Sequence, residues 1–269
     1  MSTRCIALAN QKGGVGKTTT AVSLAACLAE RGKKTLLVDI DPQGNATSAF
    51  GQEKLPGGSV YQALLGGAKL EEAIRPAGYD NLDLIPSEVD LAVAEVDVAR
   101  ADNYLHRLRG ALQPIRDSNR YEFLLIDCPP SLGILTMNAL AAADRILIPI
   151  QCEYFALEGL AVITRVIQQI KSSGANPALE IEGIVLTMFD SRTNLTQQVA
   201  DEVRGHFGER VFQTTIPRTV RLAEAPSFGK PITAYDPHGH GATAYRLLTE
   251  EFLHKIQPQV AVATPVVAA

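Results

Sequence analysis

The glycine-rich segment at residues 11–20, Gln-Lys-Gly-Gly-Val-Gly-Lys-Thr-Thr-Thr, constrains the fold more than any other feature of the chain. A short apolar run at residues 6–10 precedes it, and a segment of helical period at residues 21–30 follows it. Strand, glycine-rich turn and helix form the context of a P-loop, in which backbone N–H groups and a helix N-terminus hold phosphate oxygens. The segment therefore predicts a nucleoside triphosphate site, where Lys17 reaches the β- and γ-phosphates and Thr18 ligates Mg²⁺.

The loop carries one lysine more than the usual pattern. That pattern places its first glycine where this chain has Gln11, and the chain instead has Lys12 as well as Lys17, the deviant Walker A form. A lone loop lysine is as often a solvated charge, but its position within this string favours a functional role. The predicted nucleotide-binding residues of the loop are Lys12, Gly13, Gly14, Val15, Gly16, Lys17, Thr18 and Thr19.

Composition and hydrophobic pattern indicate an α/β protein. The 269 residues are 46% hydrophobic, which is ample for a core. Strands are predicted at residues 4–10, 35–39, 82–86, 123–127, 146–150, 183–187 and 211–213. Helices are predicted at residues 16–31, 60–65, 87–96, 101–118, 132–142, 157–173, 195–207 and 241–256. Their alternation predicts a P-loop NTPase fold with a mostly parallel, twisted β-sheet and helices on both faces.

Net charge and cysteine spacing narrow the class of protein to which the chain can belong. The net charge of −4 argues against a wholly basic nucleic-acid coat protein, although it leaves room for a local basic patch. The scattered cysteines have no Cys-x-x-Cys spacing, so we expect buried small hydrophobes. We expect one domain over residues 1–256, a disordered tail over residues 257–269, and a cytoplasmic protein, because neither a secretory signal nor a membrane span is visible.

Carboxylates end two of the predicted strands. Asp39 and Asp41 follow the run Leu-Leu-Val, and Asp127 ends the apolar run 123–126. Because ligands bind at the carboxyl ends of parallel strands, these groups are expected near the phosphates. We interpret Asp41 as the residue that positions the attacking water, and Asp39 and Asp127 as support for Mg²⁺ together with Thr18. The alternative for either residue of the Asp39/Asp41 pair is a simple cap of the following turn.

These motifs, in this order, resemble the ParA/Soj family of chromosome- and plasmid-partitioning ATPases. That family lies within the deviant Walker A group that includes MinD and the nitrogenase iron protein. The resemblance covers roughly residues 3–256. It extends beyond the three motifs to the segments at residues 151–159, 186–194, 216–226 and 235–237, with Gly241 and Ala242 after them.

The resemblance implies an ATP hydrolase that uses Mg²⁺ and forms a sandwich homodimer when ATP is bound. Lys12 would cross the interface to the partner's phosphates, which makes Lys12, Lys17 and Asp41 the implied catalytic residues. Met188, Pro217 and Thr219 match positions around the adenine, although the family usually has Asn at position 219.

The family also implies a role in DNA segregation. Arg192 and Arg221 match DNA-contacting positions of Soj-like members, and Arg218 lies in the same basic stretch. The dimer would bind nucleoid DNA without sequence preference and would be released by hydrolysis that a ParB-like protein stimulates. The chain begins almost at its first strand, which favours the short, Soj-like type.

Three alternatives remain open at this point. A MinD-like membrane-associated ATPase needs a basic amphipathic C-terminal helix, and residues 257–269 carry no charged side chain. An electron-transfer ATPase needs cysteines that bridge a cluster, and the surroundings of Cys128 and Cys152 resemble ParA instead. A ParA-type positioner of non-chromosomal cargo is not distinguished by sequence. We expect no membrane partner.

Overall fold

A seven-stranded sheet lies at the centre of the computed structural model, which describes residues 3–54 and 56–256. The strand order is β3-β4-β2-β5-β1-β6-β7, and every neighbouring pair is parallel except β3 and β4. The prediction of a mostly parallel sheet is confirmed. The predicted tail at 257–269 lies outside the described residues. The strands are β1 (Arg4–Leu8), β2 (Thr35–Asp39), β3 (Arg75–Tyr79), β4 (Leu82–Ile85), β5 (Phe123–Asp127), β6 (Arg145–Gln151) and β7 (Glu180–Thr187).

Helices cover both faces of the sheet. One face packs against α1, α2 and α9 to α11, and the other packs against α3 to α8. The helices are α1 (Lys17–Glu30), α2 (Asn45–Ala49), α3 (Val60–Leu65), α4 (Leu91–Ala99), α5 (Arg107–Asp117), α6 (Ile134–Ala142), α7 (Ala156–Ser172), α8 (Asn194–Phe207), α9 (Val220–Glu224), α10 (Ile232–Tyr235) and α11 (His240–Ile256). None of the helices within the described residues combines the length and hydropathy needed to span a bilayer.

The central strands show why two cores form. Along β1, Cys5 and Ala7 face the core under α3 to α8, whereas Ile6 and Leu8 face the core under α1, α2 and α9 to α11. Side chains alternate between the faces of a strand, so a strand covered on both sides must be apolar throughout. All five residues of β5 are buried for this reason. The four cysteines are buried and free, as predicted.

The structure corrects two strand predictions. The strand predicted at residues 211–213 is wrong, because only an isolated bridge joins Val211 to Ile184. The N–H groups of Gln213 and Thr214 instead donate to the Glu251 carboxylate at 2.8 and 2.9 Å, which ends the pairing. Strand β3 was not predicted, since its sequence Arg-Pro-Ala-Gly-Tyr contains a proline and a glycine, which an edge strand tolerates.

One helix begins later than its pattern predicts. The helix predicted over residues 101–118 begins as a 3-10 turn at Tyr104–His106, and α5 proper starts at Arg107. Asn103 has a φ of 53°, in the left-handed region, which separates this segment from α4. Similarly, the helix predicted over residues 87–96 is observed as α4, which begins four residues later and ends three residues later. Ser87 is thereby free to hydrogen-bond to the loop after β2.

Candidate functional site

The loop between β1 and α1 lies at the carboxyl edge of the sheet, where Thr18 and Thr19, at the start of α1, line a first cavity of about 420 Å³. Gly14 and Gly16 have φ values of 74° and 82°, which residues with a Cβ rarely adopt. Gly16 is the N-cap of α1 and has no side chain to occupy the first N–H groups of the helix. These groups are therefore available to an anion, and the helix dipole favours negative charge there.

Lys17 is the first residue of α1, and its side chain reaches back into this loop. Its side chain is almost fully buried, and its Nζ donates to the backbone carbonyl of Lys12 at 3.0 Å. Burial lowers the pKa of Lys17, and the nearby Asp127 carboxylate partly opposes that shift. The ammonium group is thus desolvated and aimed at the space that the loop encloses, where a phosphate would recover its lost electrostatic stabilisation.

Asp127 is the most unusual group of the site. The strand register places it opposite both Leu8 of β1 and Asp39 of β2, so that two carboxylates meet at one edge. It is completely buried, and within the described residues neither of its carboxylate oxygens has a hydrogen-bond partner. Burial, followed by repulsion from Asp39, raises the pKa of Asp127 well above 3.8, although the nearby Thr18 hydroxyl opposes the shift.

These oxygen groups fit Mg²⁺. Buried acceptors without donors attract a cation, and carboxylate and hydroxyl oxygens are the ligands that Mg²⁺ prefers. Among the described residues, no cluster of three or more His, Cys, Asp or Glu side chains is placed to hold a metal alone. Thr18 and the nucleotide phosphates could supply the further ligands, with Asp127 behind them.

Asp39 is more fully partnered than Asp127. Its Oδ2 accepts from the Thr47 backbone N–H and from the Thr47 hydroxyl, both at 2.7 Å, and its Oδ1 accepts from the Asp41 N–H at 3.2 Å. Burial raises the pKa of Asp39 to about 6, and the Thr47 hydrogen bonds oppose that shift. Asp39 therefore organises the loop after β2, a role compatible with contact to a metal-bound water.

Asp41 extends beyond the end of β2 into the same loop. Its side chain is mostly buried, and its Oδ1 accepts from the Gln43 N–H at 2.9 Å, as in an Asx turn. The carbonyl of Asp41 accepts from the Ser87 hydroxyl, and the Ser87 N–H donates to the Thr47 hydroxyl at 2.8 Å. The site therefore includes Thr47 and Ser87, which no sequence spacing had indicated.

Lys12 lies at the rim of the site. Its Nζ pairs with Glu153 at 2.7 Å, and both side chains are about half exposed, at 46% and 47%. Its backbone N–H donates to Asn10 Oδ1 at 3.0 Å, which orients the loop. Lys12 and Lys17 thus differ in their surroundings. Lys17 is buried at the loop, whereas Lys12 is at the surface and pairs with a surface carboxylate.

A second cavity, of about 270 Å³, adjoins the loop on the β7 side. Its lining includes Gly16 and Thr19. It also includes the three residues predicted to surround the adenine, Met188, Pro217 and Thr219. Met188 has a φ of 51°, a strained conformation for a residue with a side chain. Thr219 caps α9, and its hydroxyl accepts from the Leu222 N–H at 3.2 Å, so this hydroxyl already has a structural partner.

The three arginines predicted to contact DNA differ in their surroundings. Arg192 makes two hydrogen bonds to Asp190, at 2.8 and 2.7 Å, and these lower the pKa of Asp190 to about 2. Arg218 lines the second cavity and also contributes to that lowered pKa. Arg221 pairs with Glu224 at 3.2 Å. All three arginines are exposed, and Arg192 and Arg221 each have a carboxylate partner.

Fold and loop together define a P-loop NTPase of the two-lysine type. The family model described as "AAA domain" matches residues 3–181. The chain is 51% identical over 258 residues to "Chromosome partitioning protein ParA" of Myxococcus xanthus, covering 95% of this chain and 90% of that protein. It is 50% identical over 249 residues to "Sporulation initiation inhibitor protein Soj" of Bacillus subtilis, covering 92% and 97%. The chain belongs to the ParA/Soj family of chromosome-partitioning ATPases.

A solved structure supports the fold and bears on the ligands. The structure described as cobyrinic acid a,c-diamide synthase from Mycobacterium smegmatis, with bound ADP and magnesium, superposes with a TM-score of 0.80. Its sequence is 36% identical, and the match covers 94% of both chains. A protein with this backbone therefore holds a nucleotide and magnesium together.

Proposed function

We propose that this protein is a Mg²⁺-dependent ATP hydrolase that segregates DNA, with ATP binding as the signal for dimerisation. The observation that carries the proposal is the buried carboxylate of Asp127, which lies beside Thr18 and Lys17 and has no hydrogen-bond partner among residues 3–54 and 56–256. Such a group is costly unless a cation completes it. The M. smegmatis structure with ADP and magnesium supports the same pair of ligands here.

Each residue of the site has a distinct task in this proposal. The loop N–H groups and Lys17 would bind the phosphates, while Thr18 and Asp127, with Asp39 behind them, would hold Mg²⁺. When bound, Mg²⁺ neutralises charge on the phosphate oxygens. Asp41 would orient the attacking water, because it lies two residues beyond the end of β2 and its side chain is not part of the strand. Met188, Pro217 and Thr219 would surround the adenine, in the cavity that they line.

Lys12 would act on the second subunit of the dimer. Its ammonium group is held at the rim by a half-exposed carboxylate, not in its own loop. A surface ion pair of this kind is weak, so the partner's phosphates can replace Glu153. The lysine then supplies positive charge to the partner's nucleotide in the manner of an arginine finger.

The ATP-bound dimer would bind nucleoid DNA through Arg192, Arg218 and Arg221, without sequence preference. Two copies of each arginine would strengthen this binding, because phosphate contacts add and depend steeply on salt. A ParB-like protein would stimulate hydrolysis and release the DNA. We place these activities in one domain over residues 1–256.

A DNA-binding experiment tests the proposal. Binding to random-sequence duplex DNA is measured with ATP, with ADP, and at increasing salt. ATP should give salt-sensitive binding, and Arg192→Glu or Arg221→Glu should weaken it by about tenfold or more. The matched control is Arg145→Glu, since Arg145 is also a surface arginine paired with a carboxylate but lies at the amino end of β6. Equal binding by all variants, or binding without ATP, would contradict the proposal.

A second measurement addresses Lys12. Lys12→Ala should abolish the ATP-dependent dimer seen by light scattering and should slow turnover, while ATP binding by the monomer persists. Undiminished hydrolysis by a monomeric Lys12→Ala protein would exclude the role in trans.

A further inference from the structure

The first cavity lies beside the phosphate loop and extends away from it. Its lining takes Thr18 and Thr19 from the first turn of α1, and Val22 and Ser23 from the next turn. One turn of helix rises about 5.4 Å, so the cavity runs along α1 in the direction that leaves the loop. Among the described residues, none of residues 12–17 belongs to the lining.

Two further segments complete the walls of the first cavity. One is helix α2, and the other is the segment 225–232, which follows α9 and reaches the start of α10. These two segments are in close backbone contact, because a Cβ at Gly229 would lie only 2.8 Å from the Cα of Gly51, just after α2. Packing of the backbone, and not the position of a single long side chain, therefore sets the shape of the cavity.

The lining combines an apolar floor with a polar rim. Val22, Ala49 and Ile232 are buried and form part of the floor. Hydroxyl and amide groups are contributed by Thr18, Thr19, Ser23, Asn45, Ser48 and Ser227. A volume of about 420 Å³ lies within the range of small-molecule sites, which is about 300 to 1,000 Å³, and such sites have this mixed lining.

Charge defines the kind of ligand that the first cavity fits. Among residues 3–54 and 56–256, Lys230 is the only charged residue in the lining, and it is exposed at the rim. The same lining contains no aspartate and no glutamate. Charge complementarity therefore selects a molecule with one anionic group beside an apolar body.

The first cavity is separate from the cavity predicted to hold the adenine. The two cavities share Thr19 and Leu222, but Met188, Pro217 and Thr219 line only the second one. A nucleotide with its base in the second cavity and its phosphates at the loop would therefore leave the floor of the first cavity open.

We propose that the first cavity binds a small amphipathic anion, with an apolar ring system on the floor and one acidic group at Lys230, and that this ligand changes the rate of ATP hydrolysis. The ligand would touch α2, which also carries Thr47, the residue whose N–H and hydroxyl hold Asp39. The regulatory half of this inference rests on the proposed function. The binding half rests only on the shape and the lining of the cavity.

Two fluorescent probes of the same shape test the binding half. Anilinonaphthalene sulfonate has an aromatic body and one sulfonate, and phenylnaphthylamine has the same body without the sulfonate. Each probe is titrated into the full chain, with and without saturating Mg·ADP. The sulfonate probe should show a site of one molecule per chain that persists with Mg·ADP, and the neutral probe should bind it more weakly.

Substitutions on two walls locate the site. Ser48→Phe and, separately, Ser227→Phe place a ring where the probe would lie, so each should weaken the sulfonate probe by about tenfold or more. Lys230→Gln should weaken the sulfonate probe by roughly three- to fivefold and leave the neutral probe unchanged. The matched controls are Ser172→Phe and Lys34→Gln, since both residues are exposed and lie outside the lining. All variants should melt close to the wild-type temperature.

The outcomes separate the two proposals. Probe binding that both Ser48→Phe and Ser227→Phe leave intact, or that Lys230→Gln does not change, overturns the inference. Displacement of the probe by Mg·ADP also overturns it, because the cavity would then belong to the nucleotide. A hydrolysis rate that stays constant at saturating probe refutes the regulatory half. If the wild-type chain neither binds nor hydrolyses ATP, the proposed function fails, while the titrations still decide whether the cavity is a binding site.

Discussion

Replacing Asp127 by asparagine should stabilise the nucleotide-free protein and remove its Mg²⁺-dependent activity. The two oxygens of Asp127 are buried without donors in the described structure, and a neighbouring carboxylate, Asp39, lies opposite in the register. Leaving a buried polar group unsatisfied costs about 1–3 kcal/mol. Asparagine removes the charge and brings donors that can face Asp39, so we expect a gain of about 2 kcal/mol. For a chain of this size that raises Tm by roughly 4–8 °C.

The pH dependence of the folding stability tests the effect of Asp127→Asn independently. The pKa values of Asp39 and Asp127 are raised in the folded state, to about 6 for Asp39 and well above 3.8 for Asp127. The folded state therefore binds more protons than the unfolded state above about pH 4, and stability falls as pH rises through the folded pKa values. Asp127→Asn should reduce this loss of stability, because one of the two carboxyl groups with a raised pKa is no longer present to titrate.

Thermal melting between pH 4 and pH 8, in the presence of a chelator and without nucleotide, measures both effects. Mg·ATP should then raise the Tm of the wild-type protein more than that of Asp127→Asn, since ligand binding stabilises by mass action. The control is Asp83→Asn. Asp83 accepts from Arg120 and from the Tyr121 hydroxyl, both at 2.6 Å, so losing its charge should destabilise by about 1 kcal/mol. An Asp127→Asn protein with a lower Tm than the wild type, or with the same pH slope, refutes the reasoning.

Three further substitutions test separate parts of the structure. Asp41→Ala should leave ATP binding intact and trap an ATP-bound dimer, visible by light scattering as a dimer that persists after ATP addition. Thr47→Val removes a hydroxyl that donates to Asp39 and strands a buried N–H, so urea melts should show a loss of about 2–4 kcal/mol, whereas Thr47→Ser should lose less than half of that. Gly183→Ala should cost about 1–3 kcal/mol in the same assay, because a Cβ there would overlap the ring of Phe212.

The sequence was sufficient to predict the parts of the site that lie next to strands. Asp39 and Asp127 end apolar runs, and parallel strands end at a common edge, so their proximity follows from the pattern and appears in the observed register. The loop glycines were equally predictable, since Gly16 must adopt a positive φ to open α1. Local periodicity and strand order together carry this information.

The contacts made by distant residues could not be predicted. Thr47 and Ser87 are forty residues apart in the chain and meet only because β4 lies beside β2. Glu153 pairs with Lys12 because β6 neighbours β1. Serines, threonines and surface carboxylates occur throughout the chain, so no composition or period marks these particular ones. Strand β3 was not predicted for a different reason. Its residues have a low propensity for β-strands, and the pairing with β4 overrides that propensity.

Three of the four cations proposed to act outside the subunit share one property. Lys12, Arg192 and Arg221 each pair with a carboxylate at the surface, at 2.7, 2.7 and 3.2 Å. Such exposed pairs contribute little to stability, because water and salt screen them. A nucleoside triphosphate or a DNA backbone offers several phosphates at once. It can therefore displace these carboxylates from the lysine and arginines more readily than a single chloride or inorganic phosphate can. If the proposed dimer forms, we therefore expect these ion pairs to give way to its polyanions more readily than to a single small anion.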